Sequence, residues 1–206
     1  IAHITRAWLF LLGTEPGTFN VARRALAAAA SLPMTAREQD HLAAAQALVD
    51  GRWFEAGDRL AAVSARHPRD ALALQIGHQI DFFTGRRERL RDRIAAALPA
   101  WDPGRPGFHA LLGMHAFGLE ECGDYAAAER AGQRAVELEA RDSWAWHAVA
   151  HVHEMRQDTA AGLAWLGANE AVWSPGSLLA VHNHWHLALF ELERDEHEAV
   201  LARFDR

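Results

Sequence analysis

The 206-residue chain is half hydrophobic and 23% charged, which is enough apolar content for a folded core and lies outside the disordered and collagen-like classes. Its 21 basic residues are all arginine and face 27 acidic ones; the net charge of −6 excludes a strongly basic nucleic-acid footprint or a basic membrane-binding surface. A single cysteine, Cys122, excludes an internal disulfide and a cysteine-based zinc framework. The unusual component is histidine: 13 residues against one tyrosine, most of them between His109 and His186. No apolar run approaches the ~20 residues of a membrane span. No charged-then-apolar leader opens the chain, so a cytoplasmic protein is expected. Because the sequence begins at Ile1 and stops at Arg206 within a helical pattern, it is also expected to be part of a longer protein.

In chain order, the apolar periodicity and the Ala-, Leu-, Arg- and Glu-rich runs predict helices at about 2–13, 17–31, 36–50, 52–66, 69–84, 86–98, 106–122, 124–139, 142–156, 158–172, 177–194 and 195–206, with no strand pattern. A short signature recurs along them: a Gly, a variable residue, often an aromatic, and a small or apolar residue three positions on. The copies are Gly17-Thr18-Phe19 with Ala22, Gly51-Arg52-Trp53 with Ala56, Gly85-Arg86-Arg87 with Leu90 and Gly123-Asp124-Tyr125 with Ala128. Degenerate copies follow at Gln157-Asp158-Thr159 with Gly162 and Asp195-Glu196-His197 with Val200. The spacings are 34, 34, 38, 34 and 38 residues. Both insertions of four fall in Pro- and Gly-rich connections, Pro99 to Gly107 and Trp173 to Ser177. Such a period predicts stacked helix–turn–helix units, with the recurrent Gly supplying the left-handed residue that ends a helix. Small residues seven positions before it, Ala44, Ala116, Ala150 and Ala188, would let antiparallel helices approach closely.

The 34-residue period, the Gly123-Asp124-Tyr125 turn, Trp146 at the start of a first helix and Pro68 closing a unit resemble tetratricopeptide repeats. The resemblance implies an all-α, right-handed α-solenoid of about six repeats, with units at about 3–35, 37–70, 71–105, 109–142, 143–176 and 181–206 in a single domain over 1–206. Three segments, Gly113 to Glu121, His147 to Met155 and His182 to Leu189, resemble the tetratricopeptide repeat protein 38 family. The tetratricopeptide likeness also places the first helix of each unit along a concave groove. His147, His151, Glu154 and His182 would then face the groove, whereas His186 could turn toward the helix interface.

His147, His151 and Glu154, at i, i+4 and i+7, share one helix face, and His182 and His186 repeat the i, i+4 spacing on the first helix of the next unit. That separation lets two imidazoles of one helix reach a single ion, so these four histidines form a candidate divalent-metal site, zinc being the natural occupant. Equally, a histidine beside Trp144, Trp146 or Trp185 serves as a hydrogen-bond donor inside a packed seam. No His-Glu-x-x-His motif is present. Glu120 and Glu121 oppose the dipole at a helix C-terminus, which argues mildly for function against a simple pairing with Arg. His78, Asp81 and His115 form a third group, in which a buried His–Asp contact would fix a tautomer or complete a structural network. Trp53, Phe54, Phe82, Phe83 and Phe117 read as core. The run Arg86, Arg87, Arg89, Arg91, Arg93 reads as a solvated face.

The expected function is a helical repeat protein whose groove, lined by Phe117, Glu120, Glu121, Trp144, His147, His151, Glu154, His182, Trp185 and His186, takes a protein or small-molecule ligand. No nucleic-acid or membrane partner is expected. The competing expectation is a metal-assisted hydrolase in which the histidines hold the ion and Glu154, Glu120 or His115 handles the proton.

Overall fold

The computed structural model describes residues 1–13 and 15–205. Thr14, in the first expected unit, and Arg206, the end of the last expected helix, lie outside them. The described residues form thirteen α-helices and no strand. They are α1 Ala2–Leu12, α2 Phe19–Ala30, α3 Ala36–Val49, α4 Trp53–Arg66, α5 Ala71–Phe83, α6 Arg87–Ala97, α7 Phe108–Glu121, α8 Tyr125–Leu138, α9 Ser143–Met155, α10 Thr159–Gly167, α11 Glu170–Trp173, α12 Ala180–Glu193 and α13 His197–Phe204. The chain divides into two compact units, Ile1–Trp101 and Asp102–Arg206, the first of three helix pairs and the second of three pairs with the short α11 between α10 and α12, and the division falls inside the first Pro- and Gly-rich insertion.

The turn signature has the expected conformation. Gly51, Gly85 and Gly123 adopt positive φ of 77°, 66° and 81°, and the degenerate copies keep it in Gln157 at 57° and Asp195 at 59°. In all five the next amide donates back to the carbonyl five residues earlier, from Arg52 to Ala47 at 2.8 Å through Glu196 to Glu191 at 3.0 Å, closing a Schellman-type C-cap. Gly17 departs from the expectation: it lies in a 3-10 turn, Pro16–Thr18, and is not among the positive-φ residues. Asp124 and Asp158, next to the turn residue, each accept from the amide three residues on and so start the second helix as they end the first.

In the first unit, Trp8, Leu11, Leu26, Leu48, Leu60 and Ile80 form the core, with Ala44 fully buried where α3 meets its neighbours. Asp81, considered above as a contact of His78, forms an ion pair with Arg93. The guanidinium of Arg93 reaches across from α6, donating to Asp81 at 2.8 Å and to the Gly57 carbonyl at 3.1 Å. Arg93 therefore leaves the expected solvated face, whereas Arg86 and Arg89 stay near the surface and share Asp58. Gly77 makes room for it, since a Cβ there would stand 2.5 Å from Arg93 Cζ. Burial weighs against both charges, pushing the Asp81 carboxyl up and the Arg93 guanidinium down, while their mutual attraction opposes each shift. Burial, with the Arg93 charge beside it, lowers His78 to about 3, so this imidazole is neutral. Phe54, Phe82 and Phe83, expected in the core, are exposed; Arg86 covers the Phe54 ring at 4.5 Å.

In the second unit, Trp146, Ala150, Leu166, Trp173, Leu187 and Phe190 form one cluster that joins α9, α10, α11 and α12. Three indole N–H groups of this region donate to carbonyls: Trp146 to Ala140 at 2.8 Å, Trp165 to Trp146 at 2.9 Å and Trp173 to Leu166 at 2.9 Å. The single helix expected at 158–172 breaks after Gly167. Asn169 leaves helical geometry at φ −118°, and its side-chain amide takes the Trp165 carbonyl, which lets Trp173 turn into the core. Asn183, fully buried, donates to the Ser143 carbonyl at 3.2 Å, and the Ser143 hydroxyl donates to the Trp173 carbonyl at 2.8 Å. These bonds tie the first turn of α12 to the first turn of α9. Phe190 completes the alignment by filling the space over Gly162, where a Cβ would lie 2.5 Å from its ring.

Two predictions follow from this packing. Arg93→Met leaves a buried carboxylate without its cation and should cost about 3–5 kcal/mol, read as a lowered urea midpoint, while Asp81→Leu with Arg93→Met should recover most of the loss. Gly162→Ala should lose about 1–2 kcal/mol net, because the clash with Phe190 outweighs the gain in helix propensity. An unchanged midpoint in either single variant would contradict the packing described.

Candidate metal centre

The facing turns of α9 and α12 place His147, His151, His182 and His186 together, each offering one nitrogen, all four within 4.8 Å of one another. His182 Nε2 lies 3.0 Å from His147 Nε2 and 3.2 Å from His186 Nε2. For a tetrahedral zinc with Zn–N near 2.0–2.1 Å, ligand nitrogens stand about 3.3 Å apart, so these separations suit a shared ion. His186, which could turn toward the helix interface, is 1% exposed there and points Nε2 into the cluster while its opposite nitrogen meets Glu154.

The carboxylates decide which nitrogens carry protons. Glu154 Oε2 lies 2.9 Å from His186 Nδ1; a carboxylate only accepts, so the proton sits on Nδ1 and the neutral ring aims a lone pair at the cluster from Nε2. Glu120 Oε2 stands 3.6 Å from His151 Nδ1, beyond hydrogen-bond distance, so it places a carboxylate beside that ring without fixing its proton. His151 Nε2 is buried without a hydrogen-bond partner, as are His147 Nδ1 and Glu120 Oε2. A buried, unsatisfied polar atom costs about 1–3 kcal/mol. The contacts of His182 with His147 and His186 can be closed by an Nε2–H or by a shared cation, whereas His151 Nε2 has neither partner.

Burial opposes the proton. It holds His147 well below the usual imidazole range and lowers His186 to about 3, and in both the neighbouring histidines add to the effect. His182 is lowered by burial and by His151. Burial raises Glu154, with Glu193 and Glu120 adding to the shift and His151 opposing it. Burial thus favours the neutral form of His147, His182 and His186, the form in which imidazole binds metal.

Aromatic rings surround the four. Phe117, 1% exposed, stacks on His147 at 5.5 Å with 27° between the planes and meets His151 edge-on. Trp144 lies 5.0 Å from His147, and Trp185 lies 5.0 Å from His186 and 5.4 Å from His182. His147 and His186 form a buried floor, whereas His182 is exposed and His151 a quarter exposed. The structure therefore gathers Phe117, Glu120, Trp144, His147, His151, Glu154, His182, Trp185 and His186. Of the two carboxylates ending α7, it is Glu120 that faces His151; Glu121 is half-buried beside it. His115 lies five residues before Glu120, on a different face of α7.

Sequence reasoning missed Asn183 and Ser143, which set the register of the two helices, and the use made of two other histidines. His41 meets Asp70 at 2.9 Å and His109 meets Asp142 at 2.7 Å. Each aspartate also caps the next first helix, through the amides of Ala73 and Ala145. The signal was present as a His followed about one repeat later by an Asp that opens a helix.

No helix among the described residues is long and apolar enough to cross a membrane. No family model matches the chain. Among solved structures, that of the "MamA RS-1 ArsTM double mutant", a tetratricopeptide-repeat-containing protein, is similar over 84% of this chain and 93% of its own, with a TM-score of 0.60 and 16% identity. That likeness shows the fold: a helical repeat of the tetratricopeptide type.

Proposed function

We propose that the second unit is a divalent transition-metal centre built into a tetratricopeptide-type repeat, with His147, His151, His182 and His186 as ligands. Glu154 and Glu120 support it from behind. The observation that carries this reading is the convergence of four histidine nitrogens from two helices, with the His186 lone pair aimed inward by Glu154. Four neutral imidazoles in a compact arrangement suit zinc and bind copper or nickel as well. Carboxylates on the outer nitrogens are the usual support of metal-bound histidines, fixing tautomer and ring orientation. The three segments that resemble the tetratricopeptide repeat protein 38 family supply this centre: Phe117 and Glu120 from the first, His147, His151 and Glu154 from the second, His182 and His186 from the third. That narrower likeness belongs to the same proposal.

Held in this way, the ion would act as a Lewis acid at an open edge. The aromatic residues around it would form the recognition surface expected of the groove. The exposure of His182 favours ligand binding or metal-assisted chemistry over a closed structural site, whose ligands are shielded on every side.

Protein stripped with a chelator, reloaded with zinc and desalted should retain about one equivalent per chain by elemental analysis. His151→Ala with His186→Ala should abolish retention. Glu154→Gln should weaken affinity about 10–100-fold in competition with a chromophoric chelator. Retention by the double histidine variant equal to that of the parent would sink the proposal.

A further inference from the structure

The edge of the site has a chemistry of its own. The floor, His147 and His186, is 3% and 1% exposed, so access is from the side of His182 and His151. There the surface is apolar: Trp185 is 51% exposed although its ring packs on two of the histidines, and Val181, beside His182, is 81% exposed. Leu178, in the turn before α12, is fully exposed. Half-exposed indoles with adjacent aliphatic residues mark surfaces that cover a ligand. On α9 the Trp144 ring lies 5.0 Å from His147, so each ligand helix contributes one indole.

Charge specifies the other half of the ligand. Four neutral imidazoles leave the full double positive charge on the ion. The two nearby carboxylates, Glu154 and Glu120, face the outer nitrogens of the rings, behind the coordination sphere. An ion held by four histidines and exposed on one side takes an anionic oxygen donor by expanding to five-coordination. A donor that also carries an aromatic group gains the burial of that group against indole.

We propose that the open edge of this centre binds a carboxylate joined to an aromatic group, the carboxylate oxygen on the metal and the aromatic ring against Trp185. This rests on the metal reading given above. The carboxylate adds as a fifth ligand, so no histidine leaves the ion and no redox step is involved.

The test uses the full chain loaded with cobalt(II), whose visible d–d bands report the coordination sphere, titrated with acetate and with phenylacetate. Both anions should change the bands, phenylacetate at about tenfold lower concentration because its ring adds contact worth about 1.4 kcal/mol. In Trp185→Ala the advantage of phenylacetate should shrink to about twofold or less. Cobalt bands that neither anion alters, or that both alter at the same concentration, would overturn the ligand assignment and leave the metal centre standing. If no cobalt is retained and no bands develop, the metal reading itself fails and takes this inference with it. Retention of the full phenylacetate preference in Trp185→Ala would show that the ring does not lie on that indole.

Discussion

The placement of α12 against α9 is the constraint on which the candidate centre depends. Two histidines one turn apart on one helix are common. Four nitrogens within 4.8 Å require two such helices at a fixed distance, rotation and register. The Asn183 to Ser143 bond sets the register at the first turns. Trp173 and Phe190, both almost fully buried, fill the space behind. Gly162 lets the Phe190 ring approach, and a single methyl there would shift α12 and its histidines. The chemistry of the site is thus set by residues that never touch it.

The two histidine pairs do not occupy equivalent positions in their repeats. Counting back from the turn residues Gln157 and Asp195, His147 aligns with Trp185, and His182 aligns with Trp144. Geometry accounts for the exchange. Neighbouring helices in a stack face each other through opposite flanks, so a site between them must draw on different positions of the repeat. The indoles then fall on the flanks the histidines leave, next to the rings they support. In the first unit, by contrast, a buried ion pair, Arg93 with Asp81, joins a helix pair, at the desolvation cost such pairs carry.

Much of the fold was legible because the repeat writes it several times. The Gly of the turn marks where a left-handed residue must sit, and the period carried the assignment through Gln157 and Asp195, where the side chain alone would not. Gly17 misled because a glycine also serves a 3-10 turn. The break after Gly167 was hidden because Trp173 is an apolar residue in helical phase, whereas the Asn169 bond to the Trp165 carbonyl that accompanies the break leaves no mark on the periodicity. At the site, i, i+4 spacing showed which residues share a face, and hence His147, His151 and Glu154. It could not show that Glu154 would orient a histidine on another helix, that Glu120 rather than Glu121 would face His151, or that Arg93 would claim Asp81. Those outcomes depend on distances across the sequence that periodicity does not encode.

X-ray absorption at the zinc edge of the metal-loaded chain tests the central claim most directly. The account predicts a first shell of nitrogen at about 2.0–2.1 Å with outer-shell scattering from four imidazoles. A first shell dominated by oxygen, or one with fewer than three imidazoles, would contradict it.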